Sequence, residues 1–196
     1  PSIFITHQLM IKCPSKLQFF EPFLHKLILF FLKKYKCCWV PDNEGSENLS
    51  GELSHKYPVP ENVFFLGPLS RFKKGLDNEN KETIDLLILI SGPEPQRSIF
   101  EEKILTPVRS LDISVVIVRG KPEKTEENYL GKNIRIISHQ NSAELEDLIK
   151  SSKLIISRSG YSTIMDLAFL GKRAIFVPTP GQTEQEYLAE KLYKEG

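Results

Sequence analysis

Apolar residues in this chain fall into short β-branched runs separated by stretches with helical spacing. Residues 3–6, Ile-Phe-Ile-Thr, predict a strand, and Leu17 to Lys34 predicts a helix; Cys37 to Val40 and Val63 to Leu66 predict two further strands. From Asp85 the pattern tightens. Leu86 to Ile90 reads as a strand, Arg97 to Arg109 as a helix, Ile113 to Val118 and Ile134 to Ile137 as strands, and Ala143 to Lys150 as a helix. Strands that are continuous apolar runs, alternating with helices, predict a parallel sheet covered on both faces, a doubly wound α/β architecture. Three polar stretches interrupt the pattern: a long loop from Pro41 to Pro60, a charged linker from Ser70 to Lys81, and an exposed loop from Lys121 to Lys132 that carries both charges.

The last 43 residues hold the densest chemistry. Leu154-Ile155-Ile156 predicts a buried strand and Ser157-Arg158-Ser159-Gly160 a tight turn. A helix follows, with Ile164, Leu167, Ala168 and Leu170 on its buried side, and Gly171 is its left-handed cap. Ala174 to Val177 predicts the next strand, Pro178 to Gly181 a loop, and Gln182 to Lys194 another helix. Two helix N-termini therefore stand at the carboxyl edge of a parallel sheet, where open α/β sheets bind ligands. Gly160 lets a ligand approach the backbone, and free N–H groups with the helix dipole favour an anion such as phosphate. Ser159, Ser162 and Thr163 add hydroxyl donors. Asp166, one turn further, suits a ribose diol better than a phosphate, and Gln182 and Gln185 offer neutral amides to sugar hydroxyls. The plainer reading of the same serines is that they cap the helix.

The stretch as a whole resembles the nucleotide-sugar-binding half of family 28 glycosyltransferases of the GT-B fold, the MurG-like group. The resemblance rests on Ser157-Arg158-Ser159-Gly160, Thr163, Asp166, Gly171, Phe176-Val177-Pro178 and Gln185-Glu186. It departs from the family's pattern at Asp166, where Glu is commoner, and at Glu186, where a second Gln is common. It implies a UDP-sugar donor: backbone and hydroxyls of Ser159 to Thr163 on the diphosphate, with Arg158 in the same turn, Asp166 on the ribose, and Gln185 with Gln182 on the sugar. Ser91-Gly92 stand where the family has a Gly/Ser-rich phosphate turn, although Pro93 and Pro95 remove N–H donors there. Ser138 to Asn141 resembles the uracil seat, with His139 at the edge of the base. His7-Gln8, at the end of the first strand, partially resembles an acceptor-side motif; His7 is the candidate base, and a polar loop residue is the plainer reading.

The resemblance implies transfer of a sugar, an N-acetylhexosamine, from the UDP-sugar to an acceptor glycan or lipid-linked acceptor, with inversion and without a metal or other cofactor. Two alternatives stay open: a UDP-sugar 2-epimerase of the same fold, and a nucleotide-sugar-binding half that acts only with a partner subunit. The implied organisation is residues 1–66 as the C-terminal part of an acceptor-side Rossmann-like domain, 67–84 as a hinge, and 85–196 as the nucleotide-sugar domain. The N-terminal domain reads as incomplete: the chain looks like a piece of a longer protein and is expected to be inactive by itself.

Composition narrows the partners. The formal net charge of +1 gives no field for nucleic acid. Cys13, Cys37 and Cys38 have neither CxxC spacing nor a matching His pair, which suggests a reducing, cytoplasmic setting and no metal site. On the helix from Leu17 to Lys34, Phe20, Phe23, Leu24, Leu27, Ile28 and Phe31 share one face, and Lys26, Lys33, Lys34 and Lys36 flank it. The helix is expected to pack that face on its sheet with the lysines snorkelling, and peripheral contact with the inner membrane face is the other reading.

Overall fold

The computed structural model describes residues 2–73 and 83–195. Residues 74–81 of the expected linker lie outside the described residues. The chain forms two compact units. The first comprises Pro1–Ser70, Ser159–Met165 and Pro180–Gly196, and the second Arg71–Arg158 and Asp166–Thr179.

The first unit is built on a parallel three-stranded sheet, β1 (Ile3–Ile5), β2 (Cys37–Val40) and β3 (Val63–Phe65), in that spatial order. Helix α1 covers one face, but it is shorter than expected. Ser15–Phe20 is a 3₁₀ turn and the α-helix runs Glu21–Leu32, with Pro22 in its first turn, where a missing N–H costs nothing. The face it buries also differs from expectation. Leu32, with Ile28 and Leu29 partly buried, packs on Cys38, Val40 and Val63, while Phe19, Phe23 and Phe30 are 71%, 65% and 58% exposed. The sheet in this unit is too small to cover a wide apolar arc, so only the stripe over β2 and β3 is buried. On the opposite sheet face Ile3, Ile5 and Phe64 are exposed, in register beside Cys37 and Trp39.

The polar segment after β2 is not a free loop. It contains α2 (Glu52–His55) and is pinned by Asp42, whose side chain is fully buried. The Asp42 carboxylate accepts the N–H groups of Asn43, Leu49 and Ser50 at 2.8–2.9 Å. Helix α6 (Thr183–Glu195) completes the unit: the Glu52 N–H donates to the Tyr187 hydroxyl, Lys191 Nζ to the Asn48 carbonyl, and Thr183 Oγ to the Lys12 carbonyl.

The second unit is a six-stranded sheet in the order β6-β7-β5-β4-β8-β9. Its strands are β4 (Ile84–Leu89), β5 (Val115–Val118), β6 (Glu127–Leu130), β7 (Ile134–Ile137), β8 (Ser152–Ser157) and β9 (Ile175–Phe176). Alternate side chains feed two cores. Leu87, Val116, Val118, Ile137 and Ile155 pack with Leu145 and Ile149 of α4 (Ser142–Ser151) and with Leu167; Leu86, Ile88, Val115, Ile117 and Ile134 pack with Phe100 and Val108 of α3 (Gln96–Val108). Helix α4 is fixed at its start by a capping box between Asn141 and Glu144. The doubly wound parallel expectation holds for five strands. β6 corrects it, because it is antiparallel to β7 and lies where a loop was expected. Its Glu-Asn-Tyr-Leu sequence is polar because it is an edge, and Arg135 holds Glu127 with two bonds of 2.8 and 3.0 Å across the pair.

The Asp42 knot generates a test. Burial pushes its carboxyl up, but the donors around it, Ser50 first, then Leu49 and Asn43, outweigh burial and hold it below the usual aspartate range. A depressed folded value contributes stability at neutral pH, which is lost as pH falls from about 3.9 through the folded value. Asp42→Ala leaves three backbone donors without their acceptor, the Ser50 N–H fully buried, and should destabilise the first unit by about 3 kcal/mol at pH 7. The fluorescence of Trp39, the sole tryptophan, followed in urea, reads this locally. A wild-type midpoint unchanged between pH 6 and pH 3 would contradict the assignment.

Candidate functional site

The turn after β8 gathers the expected anion-binding groups, but it divides them into those that face outward and those that hold the fold. Helix α5 runs Tyr161–Phe169; it leaves Ala168 exposed, contrary to expectation, and the cap at Gly171 has φ +63°. Its first residues, Tyr161, Ser162 and Thr163, carry N–H groups with no helical acceptor, because the first turn of any helix lacks them. Ile164 N–H donates to the Gly160 carbonyl at 3.1 Å, which closes the first turn. An added Cβ on Gly160 would meet nothing within 4 Å, so its backbone is open to approach. Ser162 is exposed and Thr163 partly so.

Ser159 differs from expectation. It is fully buried and its hydroxyl donates to the Gln185 carbonyl at 2.7 Å, tying the turn to α6. Gln185 and Gln182 are partly exposed at the start of α6; the Gln182 carbonyl accepts Glu186 N–H, and Glu186 Oε1 accepts Gly181 N–H at 2.9 Å. His7 also belongs to this unit. Its ring lies flat on Tyr161 at 4.1 Å and 7°, and its Nε2 is 2.8 Å from Glu184 Oε1. Tyr161 is buried and donates its hydroxyl to the Pro41 carbonyl at 3.0 Å. Burial and the nearby Asp42 charge push its phenol well above the usual range. Sequence reasoning missed Tyr161 and Glu184. Glu184 reads simply as an acidic residue in a helix's first turn.

In the second unit the remaining residues follow the carboxyl ends of parallel strands: Ser91-Gly92 after β4, His139 after β7 and Arg158 after β8. Ser91, Gly92 and His139 are exposed. Arg158 is held inward within its own unit. It is 4% exposed, and its guanidinium donates to the carbonyls of Val177, Pro178 and Gln96 at 2.8–3.2 Å while resting on the Phe100 ring at 4.1 Å. Its charge is shared with the backbone of the sheet edge; burial works against that charge and lowers its pKa.

Asp166 is also 5% exposed, and both its oxygens engage Arg71: Oδ1 accepts the backbone N–H at 3.3 Å and Oδ2 pairs with Nε at 3.0 Å. The carboxylate expected on a ribose diol also anchors residue 71. Gly120, at the end of β5, has φ +62°, and a Cβ there would fall 2.6 Å from the Ile90 carbonyl oxygen, so β4 and β5 end in direct backbone apposition. Among the described residues no His, Cys, Asp or Glu cluster could hold a metal ion.

These features define a class: an α/β protein with a backbone N–H turn at a helix start beside a parallel sheet. Solved structures share the fold. A glycotransferase of kitacinnamycin superposes with a TM-score of 0.59 at 13% identity, covering 97% of this chain and 55% of its own. Acinetobacter baumannii MurG gives 0.56 at 14% identity, covering all of this chain and 52% of its own. The fold is that of GT-B glycosyltransferases. Residues 94–196 match the glycosyltransferase family 28 C-terminal domain, and the chain belongs to that family. It is 30% identical over 149 residues to the UDP-N-acetylglucosamine–N-acetylmuramyl-(pentapeptide) pyrophosphoryl-undecaprenol N-acetylglucosamine transferase of Buchnera aphidicola, covering 71% of this chain and 39% of that one. An uncharacterized glycosyltransferase of Methanosarcina acetivorans is 29% identical over 136 residues, covering 68% and 35%. The chain spans about a third of the length of the curated relatives it matches.

The contacts of Arg158 generate a test. Arg158→Met should lower the stability of the second unit by about 2–4 kcal/mol, because three partly buried carbonyls lose charge-assisted donors. Urea unfolding followed by circular dichroism measures it. An unchanged midpoint would mean that the guanidinium is not holding the sheet edge.

Proposed function

We propose that this family 28 chain binds a UDP-sugar and serves transfer of its sugar, an N-acetylhexosamine, to an acceptor hydroxyl with inversion. The observation that carries the reading is the opening of α5: N–H groups of Tyr161, Ser162 and Thr163 with no partner among the described residues, two accessible hydroxyls and an open Gly160 backbone. That set is suited to a diphosphate. Charge that builds on the leaving UDP would be stabilised by dipoles already oriented toward it, with little reorganisation. The names of several relatives supply the sugar and nucleotide of the proposal. Gln182 and Gln185 are the amides we place on the sugar.

Calorimetry tests this directly. UDP should bind, and Thr163→Val should weaken it by about tenfold or more, the value of one hydrogen bond to a charged group. Gln185→Ala should weaken UDP-N-acetylglucosamine while leaving UDP within a factor of about two, since a lost neutral contact acts only on the part it touches. No UDP binding at millimolar ligand would remove the reading.

The exposed aromatic side of the first unit supports a second reading, peripheral contact with a membrane. Phe19, Phe20, Phe23, Phe30 and Phe31 are exposed, as are Lys16, Lys26, Lys33 and Lys34, and Lys34 Nζ lies 4.7 Å from the Phe30 ring centroid. Apolar insertion and attraction to anionic headgroups act together on such a surface. Among the described residues no helix is long and apolar enough to cross a membrane. Flotation with phosphatidylglycerol vesicles should recover the chain at low salt and lose it in phosphatidylcholine or at high salt. Phe23→Ser with Phe30→Ser should abolish flotation, and flotation that ignores lipid charge would count against the lysine contribution.

A further inference from the structure

His7 is held on three sides within the first unit. Ser54 Oγ donates to its carbonyl at 2.6 Å, its ring is stacked on Tyr161, and Nε2 meets the Glu184 carboxylate at 2.8 Å. A carboxylate only accepts hydrogen bonds, so Nε2 carries the proton of this contact and the lone pair of the neutral ring is on Nδ1. Among the described residues Nδ1 has no hydrogen-bond partner, and the side chain keeps 27% of its surface accessible. Tyr161, on which the ring rests, is the first residue of α5, next to the open Gly160 backbone. The pair is thus a clamped imidazole with a fixed tautomer and an unpaired basic nitrogen, in the same unit as the proposed diphosphate turn.

We infer that Glu184 is a positioning residue that locks His7 as the Nε2–H tautomer and so makes Nδ1 the proton acceptor for the attacking hydroxyl. This rests on the transfer proposed above. The acceptor O–H proton passes to Nδ1 as the acceptor oxygen forms its bond to the anomeric carbon. The bond from that carbon to the β-phosphate oxygen breaks, and its electron pair leaves with UDP. The ring is then an imidazolium, and its Nε2–H faces the Glu184 carboxylate, which stabilises the charge in place. Neither residue is informative alone in the sequence, because 177 positions separate them.

Nitrogen-15 NMR of the histidine ring, UDP calorimetry and turnover by the complete gene product test the inference together. The wild-type His7 spectrum should show a protonated Nε2 and an unprotonated Nδ1, and Glu184→Ala should give a mixture of tautomers. With UDP-N-acetylglucosamine and the muramyl-pentapeptide lipid named for the relatives, Glu184→Gln should lower kcat by about 100-fold. Donor KM and UDP affinity should stay within about a factor of two, as expected of a group that acts on the transition state only. Glu184→Asp should recover part of the rate. A protonated Nδ1 in the wild type, a wild-type kcat in Glu184→Gln, or a wild type that binds UDP and transfers no sugar to this acceptor would overturn the inference. Failure to bind UDP, with the tautomer as expected, would instead remove the donor reading on which it rests.

Discussion

The first unit depends on the burial of the Asp42 carboxylate. A charge taken out of water is costly unless its lone pairs are filled, and here three backbone N–H groups fill them. Those three donors come from the segment between β2 and α2, so one side chain fixes a stretch that would otherwise be a long polar loop. The backbone of Asp42 adds to this, because its carbonyl accepts Gly67 N–H at 2.9 Å after β3. His55, stacked on Phe65, lies 3.5 Å from the same carboxylate. The neighbouring Pro41 carbonyl receives the Tyr161 hydroxyl, so the end of β2 also fixes the first residue of α5.

That last link makes the site more than a helix start. Tyr161 cannot reorient without losing its bond to Pro41, and it is the surface on which the His7 ring lies. Ser159 makes a parallel connection to the Gln185 carbonyl, so the turn before α5 and the first turn of α6 are held at a fixed separation within the unit. These two hydroxyls set the geometry of the N–H groups proposed to meet a diphosphate. Such preorganisation is what electrostatic stabilisation of a leaving group requires, since reorienting dipoles during reaction costs what they would supply.

The second unit shows the same division of labour with charges. Arg158 and Asp166 both belong to the stretch that carries the family resemblance, and both are buried in contacts with their own unit. Arg158 closes the edge of the sheet by gathering carbonyls from β9's exit and from α3, and Asp166 anchors Arg71. A motif residue can therefore act on the backbone of its own unit. Gly120 contributes in a third way, through the absence of a side chain where β4 and β5 end against each other.

The sequence by itself determined the architecture. Runs such as Leu86 to Ile90 and Val115 to Val118 can be buried on both faces only in a covered parallel sheet, and Gly160, Gly171 and the turn residues around them mark where α5 begins and ends. Local chemistry was enough there, because strand, cap and turn preferences act between near neighbours. Local pattern failed where a residue's partner is remote or where exposure decides. The polar β6 is a strand because β7 offers it an edge, and the Phe-rich side of α1 is exposed because its small sheet accepts a narrower stripe. The inward course of Arg158, the Arg71 contact of Asp166 and the pairing of His7 with Glu184 were decided by tertiary structure alone. Each joins residues far apart in the chain, and the energy of a buried or charge-assisted hydrogen bond depends on geometry that only the folded backbone supplies.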